Sequence, residues 1–333
     1  MDETRSRPMT TRREFVETSA AILALSSPPG PLSLRERGYA QSPPSPERRG
    51  GQGVRLPLGF STLGCPAWPL VQILDFAAAH GYSAVELRGL QATMDLSEAA
   101  ELAPARLGDV KRQLAERRLS VSCLGASAQM HEMDPAQRAA QLAEARRFID
   151  LAQALGAPYV RVFGNNYVKD VPRVEMLAHI AAGLRELGDY AQPKGVTVLI
   201  ESHGDFTDSP SLLELLRQAD SPAVQLLWDA HHTFVSGKEQ PEDTVRQLGR
   251  YIRHTHLKDS VPAATAGGRR YVLTGTGEVP VRRQIEALVK IGYRGYYSFE
   301  WEKRWHPDIA EPEVAIAQFA TVAAEYLRAA GVH

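Results

Sequence analysis

The 333-residue chain has only two cysteines, Cys65 and Cys123, which leaves room for one disulfide at most. They fall on or just after strand patterns that are not neighbours, so two buried free thiols are expected. Charge of one sign is lacking too. Thirty-eight lysines and arginines face 39 acidic residues, for a net charge of −1 with no basic patch to hold nucleic acid. The chain also lacks an apolar run near the ~20 residues that a bilayer-spanning helix needs. No Gly-x-Gly-x-x-Gly turn follows the first strand pattern, which argues against an open dinucleotide-binding sheet. No internal repeat is visible beyond an alternation of strand and helix patterns. What is present, 44% hydrophobic and 23% charged residues, describes a globular protein with a sizeable core.

The N-terminal segment does not read as part of that core. Thr11-Arg12-Arg13-Glu14-Phe15-Val16 sets paired arginines before the short apolar stretch Ala20-Ala21-Ile22-Leu23-Ala24-Leu25, the pattern of a twin-arginine export signal. Gly38-Tyr39-Ala40 offers small residues suited to cleavage before Gln41. Residues 1–40 are therefore expected to be a signal peptide, and 41–55, rich in proline and glycine, a flexible lead-in. Residues 56–333 are expected to be one folded domain. Export implies a periplasmic or otherwise extracytoplasmic address without a stable membrane anchor, and twin-arginine export suits a metalloenzyme loaded before translocation.

From residue 58 the chain alternates eight strand patterns with helical ones. The strands are expected at 58–61, 84–87, 120–124, 159–163, 197–201, 224–228, 251–257 and 296–300. They are mostly apolar rather than alternating, as in a parallel sheet covered by helices on its outer face. Gly81, Gly156, Gly195 and Gly292 stand just past the helical patterns, where a left-handed cap is wanted. Eight such units predict an α/β fold, a closed (β/α)8 TIM barrel. One connection, Asp259 to Pro280, is long enough to be a lid or substrate clamp.

The chemistry follows from how four apolar runs end. Val198-Leu199-Ile200 leads to Glu201, Leu226-Leu227-Trp228 to Asp229, Ile252-Arg253-His254-Thr255 to His256, and Tyr297-Ser298-Phe299 to Glu300. On neighbouring parallel strands all four residues project from one rim, where barrels of this kind carry their sites. Three clustered carboxylates repel one another and call for a cation. With one imidazole they suit Mn2+, Mg2+ or Co2+, with Zn2+ a further candidate. Glu201 and Glu300 lie at opposite ends of the tetrad, placed to carry a proton from one face of a sugar to the other through an enediolate. Candidates to touch substrate are His203, His232 and Lys258 on the rim, Arg161 and Glu86 inside strands, and Arg269 and Arg270 in the long connection. For Arg161 and Glu86 the alternative is a charge pair within the barrel, since a buried charge needs a partner. For Lys258 it is a surface ion pair, and His231 and His254 are expected to be structural.

With these residues in view, the chain resembles the sugar phosphate isomerase/epimerase family, the xylose-isomerase-like barrels, from about Leu58 to Leu327. The resemblance is carried by Phe60-Ser61-Thr62-Leu63-Gly64-Cys65-Pro66, Glu201-Ser202-His203-Gly204, Trp228-Asp229-Ala230-His231-His232, His254-Thr255-His256-Leu257-Lys258-Asp259 and Phe299-Glu300-Trp301-Glu302. It implies that Glu201, Asp229, His256 and Glu300 are metal ligands, Glu201 and Glu300 an acid/base pair, and His232 a substrate-binding histidine. Ketose epimerases that look similar carry an arginine six residues past the metal-binding histidine; here that position is Pro262, with Arg269 or Arg270 the nearest substitutes. The implied activity is therefore a divalent-metal-dependent sugar isomerase or epimerase, with a lyase or dehydratase acting on a 3-keto-glycoside as the alternative. A non-catalytic sugar-binding barrel is the reading outside enzymology. A DNA endonuclease of related type would need further histidine and acidic ligands on strands one to four and a basic face. The expected partner is a small sugar or keto-sugar, and homo-oligomer formation is left open.

Overall fold

A computed structural model describes residues 55–264 and 268–333. The expected signal peptide and all but the last residue of the lead-in lie outside them. Eight parallel strands close into a barrel in the order β1-β10-β7-β6-β5-β4-β3-β2. The strands are β1 (Leu58–Ser61), β2 (Ala84–Leu87), β3 (Ser120–Gln129), β4 (Tyr159–Phe163), β5 (Thr197–Glu201), β6 (Val224–Asp229), β7 (Ile252–Leu257) and β10 (Tyr297–Phe299). Outside them run α1 (Leu70–Ala79), α2 (Leu107–Glu116), α3 (Pro135–Leu155), α4 (Arg173–Ala191), α5 (Ser209–Ala219), α6 (Ala230–Val235), α7 (Pro241–Leu248), α8 (Val281–Lys290) and α9 (Pro312–Ala329). No described helix is long and apolar enough to cross a membrane.

Local chemistry sets the element boundaries. The carboxylate of Asp134 accepts from Gln137 N ahead of α3, Pro135 takes its first position, and Gly156 ends it with φ +78°. Apolar residues of the helices and the outward strand positions form one continuous core. A small separate cluster of Cys123, Tyr159, Leu199 and Leu227, one residue from each of β3, β4, β5 and β6, stands apart from it. Cys65 and Cys123 are both buried free thiols, as expected.

The long connection is more ordered than a loop. Asp259–Pro262 (β8) and Arg269–Val272 (β9) pair antiparallel as a hairpin. One buried carboxylate ties its base. Asp259 accepts from Ser260 N at 2.8 Å, Gly275 N and Gly277 N at 2.9 Å, and Val279 N at 3.1 Å. Gly277 is required there, because a Cβ would lie 2.1 Å from Asp259 Oδ1. Asp259→Ala leaves these amides without an acceptor, at about 1–3 kcal/mol for each that stays buried. We expect this variant to be cut by trypsin at Arg269 and Arg270 much faster than the parent, while its far-ultraviolet circular dichroism stays that of the barrel. Equal cleavage rates would mean that Asp259 does not tether the hairpin.

Candidate metal centre

Glu201, Asp229, His256 and Glu300 come from four neighbouring strand ends, and one potential ligand atom from each lies within 4.8 Å of the others. Asp229 and His256 are register partners. Glu201 pairs with Leu227 on one side of them, and Glu300 follows the Ser298–His256 pairing on the other. All four are at least nine-tenths buried.

Three of these candidate ligands, Asp229, Glu201 and His256, are oriented by neighbours. Asp229 is the N-cap of α6: its Oδ1 accepts from His231 N and His232 N, both at 3.0 Å, which turns Oδ2 toward the site. Ser202 Oγ clasps the Asp229 backbone, accepting from its N–H at 2.8 Å and donating to its carbonyl at 3.1 Å. Arg161 places Nε 2.9 Å from Glu201 Oε2, and its Nη1 donates to Ala126 O at 2.8 Å. Its guanidinium lies 3.9 Å over the Phe163 ring. Across the barrel, Glu86 Oε2 stands 2.8 Å from Nε2 of both His254 and His256. Holding Nε2 of His256 fixes its ring and directs Nδ1 into the tetrad, the usual arrangement behind a metal-bound imidazole.

That Nδ1 is the best test of fit for a cation. It is buried and lies 3.1 Å from Glu300 Oε1, 3.4 Å from Glu201 Oε1 and 3.9 Å from Asp229 Oδ2, yet is aligned with none of them as a hydrogen bond. A ring nitrogen and three carboxylates converging without aligned hydrogen bonds between them match the donor set of a hard or borderline divalent ion. In the protein alone, burial opposes charge on Glu201, but Arg161 and His256 outweigh it and bring the carboxyl down to about 2. Burial likewise opposes the His256 cation, while Glu300, Glu86 and Glu201 hold its pKa well above the ordinary value.

The structure brings some of the other candidates to this centre and places others elsewhere. His232 lies beside it, Nε2 3.3 Å from Asp229 Oδ2, and its ring meets His203 edge-on with centroids 5.1 Å apart. His203 rests on Phe163, and burial lowers its pKa. Glu86, a candidate to touch substrate, sits instead behind His256, because that face of β2 points into the barrel floor. Arg161 is placed to orient Glu201 rather than at the mouth. Lys258 is neither a surface pair nor free to touch substrate. Fully buried, its ammonium contacts Asp229 Oδ2 at 2.6 Å, Glu302 Oε1 at 2.9 Å and Glu300 Oε2. Arg269 is held on the hairpin by Ser260 and Glu278, and Arg270 is exposed, so neither is brought to the tetrad. His231, expected to be structural, bonds Ser260 Oγ at 2.7 Å and lies against Tyr271 with its ring tilted; burial and Lys258 lower its pKa to about 2. Sequence reasoning missed Arg88 and Glu302. Two signals were available: Arg88 is two residues past the inward-facing Glu86, and Glu302 two past Glu300.

A family model for the xylose isomerase-like TIM barrel matches residues 74–323. Among curated relatives, an inosose dehydratase of Geobacillus thermodenitrificans is 29% identical over 163 residues, covering 44% of this chain and 52% of the relative. A fructoselysine 3-epimerase of Shigella flexneri is 24% identical over 157 residues, covering 46% and 55%. The chain thus spans about half the length of these relatives. Among solved structures, the IOLI protein with a bound zinc atom superposes with a TM-score of 0.66 at 19% identity, over 81% of this chain and 99% of that one.

Proposed function

Because the chain belongs to the xylose isomerase-like TIM barrel family, we propose that its tetrad holds one divalent cation and that the protein is a sugar isomerase or epimerase acting by proton abstraction next to a carbonyl. The observation that carries this reading is the buried, unsatisfied Nδ1 of His256 facing three carboxylates. When bound, such an ion draws electron density from a carbonyl and its neighbouring hydroxyl and so acidifies the C–H between them. The chain's own residues do the rest. Glu201, ionised and held by Arg161, and Glu300, held by Lys258, flank Asp229 and His256 from opposite sides. One accepts the proton and the other returns one to the opposite face or the adjacent carbon. His232 and His203 at the rim offer ring nitrogens to substrate hydroxyls.

A lyase reading has its own support: similarity to inosose dehydratases, and Pro262 where ketose epimerases carry an arginine. Elimination begins with the same proton abstraction, so product mass separates the two. The paired Arg12-Arg13 ahead of an apolar stretch supports export, which would bring the enzyme free sugars and glycosides rather than phosphorylated metabolites.

The test is to load the protein with Mn2+ and follow ketoses, inososes and 3-keto-glycosides in heavy water by NMR. Solvent deuterium should enter at a carbon next to the carbonyl, stop when the metal is chelated away, and resume on its return. A fully metal-loaded protein that exchanges none of these substrates would sink the proposal.

A further inference from the structure

Arg88 carries a buried charge that the tetrad chemistry leaves unexplained. It follows the last residue of β2 and is 8% exposed, and its guanidinium has no hydrogen-bond or ion-pair partner among the described residues. A group this well buried ordinarily has a partner, since desolvating an unpaired charge is unfavourable. Its placement is deliberate in structural terms. Glu86, two residues earlier on the same strand face, points inward to His254 and His256, so Arg88 points inward one layer nearer the rim. Thr62 clamps its backbone: Oγ1 accepts from Arg88 N at 2.8 Å and donates to Gly89 O at 2.6 Å. Gly89 then turns the chain away with φ +85°.

Gly125 on β3 makes room for the side chain. A Cβ there would stand 2.6 Å from Arg88 Cδ and 2.9 Å from Arg161 Nη2, so the missing side chain lets two guanidiniums share one strand position. Arg161 is balanced by Glu201. Arg88 is not: the charges acting on it are Arg161, which repels, and Glu201, Glu300 and Glu144. Glu144 already accepts from Ser127 N at 2.6 Å, and a cation in the tetrad takes up Glu201 and Glu300. An ion in the centre therefore engages the two tetrad carboxylates whose charge reaches Arg88, while its guanidinium, packed beside Gly125 and Arg161, stays without a hydrogen-bond partner. Such a fork matches a carboxylate or a phosphate with two parallel hydrogen bonds, and the proposed export, which would bring free sugars rather than phosphorylated ones, favours the carboxylate.

We propose that Arg88 is a specificity-determining residue that binds a carboxylate on the substrate, so that the proposed reaction acts on keto-sugar acids in preference to neutral keto-sugars. This rests on the tetrad being a metal-assisted sugar site, and the test separates the two ideas by reading binding apart from turnover.

The probes are D-fructuronate and its neutral counterpart D-fructose, titrated by calorimetry into the full chain loaded with Mn2+. In the parent, the acid should bind at least about tenfold more tightly than the neutral sugar, the effect of one or two charge-assisted hydrogen bonds. Arg88→Gln should reduce the acid's affinity to that of D-fructose while leaving the Mn2+ affinity, read by electron paramagnetic resonance, where it was. Arg88→Lys, which keeps the charge but loses the fork, should restore part of the difference. Equal binding of the two sugars by the parent, binding of neither, or an equal loss for both in Arg88→Gln would overturn the assignment. Deuterium exchange is followed on the same samples. An acid preference that depends on Arg88, without exchange into either sugar, would support this binding role and count against the proposed reaction instead.

Discussion

Replacing Glu201 or Glu300 by glutamine should lower turnover about a thousandfold in each case, the size of effect seen when a positioned proton carrier is lost. Glutamine keeps the shape and one oxygen but can neither accept nor deliver a proton at neutral pH. The two residues flank Asp229 and His256 on opposite sides, so the partial reactions should differ. Without the abstracting carboxylate, substrate should show no wash-in of solvent deuterium. Without the returning one, wash-in should persist while product formation stops. NMR in heavy water at saturating Mn2+, with bound metal measured in every sample, distinguishes these outcomes. If both variants turned over within about tenfold of the parent, these carboxylates would have no part in the chemistry.

Lys258→Met should be the most destabilising single change near the site. The parent ammonium contacts Asp229, Glu300 and Glu302, and the substitution leaves three buried carboxylates without it. Removing one member of a buried ionic network costs about 3–5 kcal/mol. In a domain of this size that corresponds to a fall of roughly 10 °C in the unfolding midpoint. A divalent ion brings positive charge to Asp229 and Glu300, so saturating Mn2+ should raise the midpoint further in the variant than in the parent. Calorimetric or fluorescence melts with and without Mn2+ provide the comparison. A variant melting within about 2 °C of the parent would mean that the carboxylates do not depend on Lys258.

The same residue marks the boundary of what could be read from the sequence. Its place beside His256 was visible, but its burial among three carboxylates was not, because two of them arrive from the segment just after β10, more than 40 residues away. The hairpin of β8 and β9 was equally hidden. Its strands are four residues each, and what organises them is one carboxylate bonded to amides up to 20 residues downstream.

The sequence by itself determined the barrel and the tetrad. Both are written in local signals: apolar runs of strand length, glycine at helix ends, and carboxylate or imidazole side chains where four of those runs stop. A strand end in a parallel barrel has a fixed position, so knowing the strands was enough to bring Glu201, Asp229, His256 and Glu300 together. The supporting contacts were decided only when the barrel closed. Glu86 meets His256 across 170 residues of chain, and Arg88 meets Arg161 over a glycine on a third strand. Such contacts depend on the stagger of the strands and the space across the barrel, and no spacing along one strand encodes either.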